Sequence, residues 1–164
     1  MAQDAYRTTD FNLPLDARIH AYQSSVAADP KYSGFDTPML KAAKYIGADV
    51  NTKTTLFEFD VADYMCNKDG VLHGGAVSTL FDNLSSTSLF TIGRPGYWDN
   101  LGVRGSLSIW FHRPLPAGTK VQLVCMVVEA TTRMATVRAV MKTMDGKVCA
   151  SCVHEKYRPQ ASKA

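Results

Sequence analysis

Asn67-Lys68-Asp69-Gly70-Val71-Leu72-His73-Gly74-Gly75-Ala76-Val77-Ser78-Thr79-Leu80-Phe81-Asp82-Asn83-Leu84-Ser85-Ser86-Thr87-Ser88-Leu89-Phe90 is the stretch whose reading decides the fold. It opens as a polar loop, passes a glycine pair and continues as a helix over 74–90. That helix is apolar on too many sides to lie half in solvent. A sheet curling around it accounts for the composition. One acid, Asp82, sits inside the helix. Carboxylates are rarely buried without a partner. A polar loop at a helix start and an isolated carboxylate within it mark a site rather than ordinary core.

Upstream, residues 1–12 are polar and unpatterned. Leu13-Pro14 opens a helix to about Ala27, with Leu15, Ile19, Tyr22 and Val26 in one apolar stripe and His20 partly exposed. Asp29-Pro30 ends it. Asp36 or Thr37 caps a short helix from Pro38 to about Tyr45, and Gly47 breaks the chain. Thr55 to Val61 alternates as a half-buried strand. Downstream, Gly93 to Asn100 is a loop. Residues 103–113 alternate Gly105, Leu107, Ile109 and Phe111 against Ser106, Ser108, Trp110 and His112. Strands follow at 119–129, 134–144 and 147–157, the last two joined by the hairpin signal Asp145-Gly146. Short turns make these four strands mostly antiparallel. The class is α+β, with five strands expected.

The chain has 164 residues, 46% hydrophobic and 20% charged, as one soluble globular domain would. A net charge of +3 is too small to argue for nucleic acid. No apolar run approaches the ~20 residues of a membrane span, and the N-terminus lacks a signal-peptide pattern. Ser162-Lys163-Ala164 misses a peroxisomal ending at its last residue, so a cytoplasmic location is expected. Cys149 and Cys152 share a C-x-x-C spacing but fall inside a strand, so they and Cys66 and Cys125 read as reduced cysteines, mostly buried. No His cluster suggests a metal, and no cofactor is expected.

The set Asn67, His73-Gly74-Gly75 and Asp82-Asn83 resembles the hotdog-fold acyl-CoA thioesterases of the 4-hydroxybenzoyl-CoA thioesterase superfamily. The match is to the phenylacetate-degradation and acyl-CoA-thioesterase-13-like branch. There a loop Asn precedes His-Gly-Gly by six residues, and an acid follows the His by nine. Phe111 to Gly118 is similar to that family's strand-ending turn. The resemblance covers about residues 45–157. It implies a curved antiparallel sheet wrapped around one long central helix, with extra N-terminal helices. Its domain boundaries would be an extension over 1–35, a thioesterase-like domain over 36–158 and a polar tail over 159–164. It also implies hydrolysis of acyl-CoA or a related thioester by a homodimer, often paired into a homotetramer. One departure stands out. The branch commonly carries Ser or Thr ten residues before the Pro of the turn, where this chain has Arg104. By strand period, Ser106 shares its face.

Thioester hydrolysis needs the carbonyl oxygen stabilised and a water or carboxylate brought to attack. The N–H of Gly74, with Gly75, stands at a helix start carrying the positive dipole end. Asp82 is the expected base or nucleophile. Asn67 either orients water or thioester, or is simply turn composition. His73 positions the loop or touches the thioester, and Asn83 braces the helix pair or a neighbouring chain. Arg104 and Ser106 are assigned to substrate. Lys68, Arg104, Arg113 and Arg133 are candidate cations for coenzyme A phosphates; Tyr97, Trp98 and Trp110 either line an acyl pocket or pack. Asp82 lies eight residues past Gly74, ~12 Å along one helix at ~1.5 Å per residue, so the two ends meet only between two antiparallel copies. A carrier-bound or polyketide-like thioester, a dehydratase reaction or a non-catalytic acyl-binding module are the alternatives.

Overall fold

In the computed structural model, which describes residues 9–27 and 29–158, the central helix forms as α3, Gly74–Ser85. The first eight residues, the tail from 159 and the Ser162-Lys163-Ala164 ending lie outside the described residues. Val77, Leu80, Phe81 and Leu84 of α3 are buried against the sheet. Burying each such side chain contributes about 1.5–3 kcal/mol. The expected helix to residue 90 changes character after Ser85, continuing as a 3-10 stretch over Ser86–Thr91. The cause is the run of hydroxyls. Ser86 donates to the Asp82 carbonyl, Thr87 to Leu84, Ser88 to Ser85 and Thr91 to Ser88. Such back-bonding competes with the regular helical ladder.

The sheet has six antiparallel strands: β1 Lys44–Asp49, β2 Thr54–Asp60, β3 Val103–Phe111, β4 Lys120–Ala130, β5 Met134–Thr143 and β6 Val148–Tyr157. Their order is β1-β2-β4-β5-β6-β3, so β1 and β3 are the edges. β1 replaces the end of the helix expected to reach Tyr45. The helix α2, Thr37–Ala42, stops short, and Lys44 to Asp49 pairs with β2 through an irregularity between Tyr45 and Gly47. Pairing to β2 overrides the local helical signal, and the irregularity hides the strand period. Phe57, Phe59, Val121, Leu123, Cys125, Met141 and Cys152 face α3 as the main core.

The N-terminal helix α1, Leu15–Ala27, buries Ile19 and Val26, and its Tyr22 ring lies 5.7 Å from that of Phe90. A second cluster joins Leu89, Trp98, Val127, Ala135 and Val137. There the buried Trp98 indole donates to the Thr131 carbonyl at 2.8 Å. Trp98 is therefore a core residue rather than a pocket lining. Trp110 lies exposed on the edge strand β3. All four cysteines are free. Burial pushes the thiol of Cys152 up to about 12. No helix among the described residues is long and apolar enough to cross a membrane.

Candidate active site

The loop before α3 is built by its own polar groups. The Asn67 side-chain oxygen accepts from the Asp69 and Val71 N–H groups at 3.0 and 3.1 Å. Gly70, at φ 71°, takes the left-handed conformation this turn requires. The Leu72 N–H donates to the Leu115 carbonyl and the His73 N–H to Met65, which pins the loop between the Pro114–Gly118 turn and the 3-10 turn Asp63–Met65. Asn67 thus fulfils the turn role with its oxygen, leaving its amide nitrogen on the exposed side of the loop.

His73 is the N-cap of α3, and its Nδ1 accepts from the Gly75 N–H at 2.9 Å. The acceptor role places the imidazole proton on Nε2. Because Gly75 is committed to His73, it is not free to share a substrate carbonyl. The Gly74 N–H has no acceptor among the described residues. A Cβ at Gly74 would sit 3.5 Å from the Phe111 ring, so that ring flanks the helix start. Two clefts open near it. One, of about 330 Å3, includes Val77, Phe111, Arg113 and Ala150 in its walls. The other, of about 460 Å3, includes His73 and Gly75.

Asp82 stands two turns further along α3, about 12 Å from that end. Its carboxylate pairs with the Arg104 guanidinium through both oxygens; the Nε–Oδ1 bond is 2.8 Å. Arg104 reaches it because β3 bulges at Gly105: Arg104 opposes Lys156 while Ser106 opposes Glu155. The bulge overturns the expectation that Ser106 shares a face with Arg104. Two residues on β3 meet one on β6, which reverses the alternation and turns Ser106 to the outer face. Gly105 is required there, since a Cβ would collide with the Tyr157 ring.

Beneath the ion pair lie two polar residues of β6 that the strand reading passed over. His154 is fully buried; its Nδ1 lies 2.7 Å from the Ser85 hydroxyl, and its Nε2, which has no hydrogen-bond partner, lies 3.7 Å from Asp82. Burial drives the imidazole pKa down to about 3, with the positive charges of Lys156 and Arg104 adding to the effect. Lys156 is buried and donates to the Ser86 hydroxyl at 3.0 Å. Burial lowers its pKa to about 8, partly offset by attraction to Asp82 and reinforced by repulsion from Arg104. Ser85, His154 and Asp82 thus line up in space, but Ser85 is wholly buried and no substrate reaches it. A serine nucleophile is excluded. One signal was available in the sequence: Ala150, Cys152, His154 and Lys156 share strand parity, so two polar residues fall on an apolar face.

Within its own chain, Asn83 ties α3 to the start of α2. Its amide donates to Asp36 at 2.9 Å, and the Tyr32 hydroxyl donates to the other Asp36 oxygen at 2.7 Å. Asp36, read as a helix cap, spends its carboxylate on this clamp and makes no side-chain cap bond. Arg113 donates to the Val148 carbonyl at 2.6 Å. Among the described residues, no group of three or more His, Cys, Asp or Glu side chains is arranged to hold a metal.

An antiparallel sheet wrapped on one central helix, with a polar loop feeding the helix start, is the hotdog architecture. The sequence profile of the thioesterase superfamily matches residues 69–150, half of the chain, and the protein belongs to that superfamily. Its class of chemistry is thioester hydrolysis. The fold is shared with zebra fish thioesterase superfamily member 2 (20% identity, TM-score 0.73, 86% of this chain and 98% of that one). It is also shared with a mutant of the phenylacetic acid degradation protein PaaI from Thermus thermophilus (23% identity, TM-score 0.63, 74% and 99%). A third similar structure is a hypothetical thioesterase with coenzyme A from Streptococcus pneumoniae (14% identity, TM-score 0.63, 71% and 85%). Comparison with curated protein sequences gives no significant match.

Proposed function

We propose that the protein hydrolyses acyl-CoA, or a closely related acyl thioester, to free acid and thiol. The observation that carries this reading is the unpartnered Gly74 N–H at the first turn of α3, with a half-buried carboxylate on the same helix. The N–H and the dipole end stabilise charge on the thioester oxygen. Asp82 of a partner copy, arriving on an antiparallel α3, attacks directly or activates water. Its pairing with Arg104 leaves lone pairs on each carboxylate oxygen, since a carboxylate accepts about four bonds. The exposed edge strand β3 is the surface that would bring the copies together, as a homodimer or a dimer of dimers. In this reading Asn67 offers its amide nitrogen to water or thioester, and His73 holds the helix start. The coenzyme seen in the pneumococcal relative supports CoA as the thiol.

The ion pair favours one second reading, a non-catalytic acyl-binding module, because Arg104 engages both Asp82 oxygens. A thiol-release assay across an acyl-CoA panel decides between them. Hydrolysis by the wild type that drops by about three orders of magnitude in Asp82→Ala, with fold and oligomer intact, is expected. Full turnover by that variant would remove Asp82 from the mechanism, and a bound, uncleaved ligand would establish the module.

A further inference from the structure

The larger cleft beside the start of α3 has one wall supplied by Phe35 and Met39, at the start of α2. Phe35 and Tyr64 stand on its rim, 81% and 56% exposed, while Met39 and Met65 are buried at its floor. His73 and Gly75, which flank Gly74 in the chain, are also part of its lining. Large exposed aromatics that flank a concave apolar surface mark a binding site more often than chance exposure does. Methionine floors adapt to differently shaped apolar groups. None of the lining side chains is an acid, a lysine or an arginine.

The segment carrying Phe35 is held against α3 by a specific polar clamp. Asp36 is buried, and its two oxygens receive Tyr32 and Asn83. Gly34 lets the turn close, since a Cβ there would collide with the Tyr32 hydroxyl. The next residue, Phe35, is thereby fixed at the cleft rim rather than left on a free loop.

We propose that this cleft is the acyl subsite, and that it selects uncharged, apolar acyl groups over acyl groups ending in a carboxylate. The inference rests on the reading of the Gly74 N–H as the carbonyl site. The cleft takes in His73 and Gly75, the chain neighbours of Gly74, and the separate cleft that carries Arg113 is the course left for the thioester's other arm. An acyl carboxylate entering the larger cleft would lose water without meeting a cation, which is costly.

The test uses thioether analogues that cannot be hydrolysed: S-methyl-, S-hexyl- and S-(5-carboxypentyl)-CoA, titrated calorimetrically into wild type and Phe35→Ala/Tyr64→Ala. Both rim side chains are exposed, so the variant is expected to fold. The hexyl analogue is expected to bind wild type at least tenfold tighter than the methyl and the carboxypentyl analogues. The double variant should lose most of that gain while binding S-methyl-CoA as wild type does. Equal affinity for the hexyl and methyl analogues, equal affinity for the hexyl and carboxypentyl analogues, or an undiminished gain in the variant overturns the proposal. Selective binding without any thioester cleavage refutes the hydrolase and keeps the subsite; cleavage without acyl selectivity does the reverse.

Discussion

Replacing Lys156 with Met should remove the loss of stability that this residue imposes as pH falls from about 10.5 to about 8. Lys156 is buried at 5% exposure, and its pKa falls from 10.5 to about 8 in the folded protein. Above about 10.5 both states hold the amine neutral, and the burial carries no charge penalty. As pH falls, the unfolded chain takes up its proton first, near 10.5, while the folded protein waits until about 8. Stability is therefore lost as pH falls through that interval and stays lost below it. At 1.36 kcal/mol per pH unit the loss attributable to Lys156 is about 3 kcal/mol, an upper figure for an amine that interacts with charged neighbours. Methionine has similar length and no charge. Urea unfolding of wild type and Lys156→Met at pH 7, 8.5 and 10 isolates the effect, because groups that do not interact with Lys156 cancel in the difference. The variant should gain about 2 kcal/mol relative to wild type between pH 10 and pH 7. A difference constant within about 0.5 kcal/mol would show that Lys156 keeps an ordinary pKa and that the buried charge cluster beneath Asp82 has been misread.

Two further outcomes follow from the same face of the sheet. His154 takes its proton near pH 3 in the folded state but near 6.5 when unfolded, so acid destabilises the protein as pH falls between these values; His154→Gln should blunt that loss by up to about 5 kcal/mol, seen as a flatter acid limb in chemical denaturation. Gly105→Ala forces a methyl group into the Tyr157 ring at the β3 bulge and should cost about 1–3 kcal/mol; an unchanged urea midpoint would contradict that.

The central helix was legible because Val77, Leu80, Phe81 and Leu84 recur at helical spacing, and the sheet because four strands are joined by recognisable turns. The spacing of Asn67, His73 and Asp82 pointed to the loop and the helix that carry the candidate site. What escaped was whatever depends on pairing rather than period. β1 has no alternation of its own and exists through β2. The face occupied by Arg104 and Ser106 is set by a bulge whose cause, a glycine against Tyr157, involves a residue on a different strand. His154 and Lys156 lie on the apolar face of β6 by parity, but only the structure shows Asp82, Ser85 and Ser86 waiting above them. Asn83 was likewise legible as a polar residue on α3, whereas its partner, Asp36, comes from a segment 47 residues earlier.

The bulge at Gly105 also governs how this chain should be compared with others. In an unbroken strand, counting back from Leu107 by twos would bring Gly105, not Arg104, to the face beside Asp82. Which residue occupies that place is thus decided by backbone register as much as by the letter at any position. Two homologues with the same residues here, one bulged and one regular, would present different chemistry to the same carboxylate. Relatives should therefore be matched across this strand by their pairing to β6, with residues on either side of the bulge counted separately.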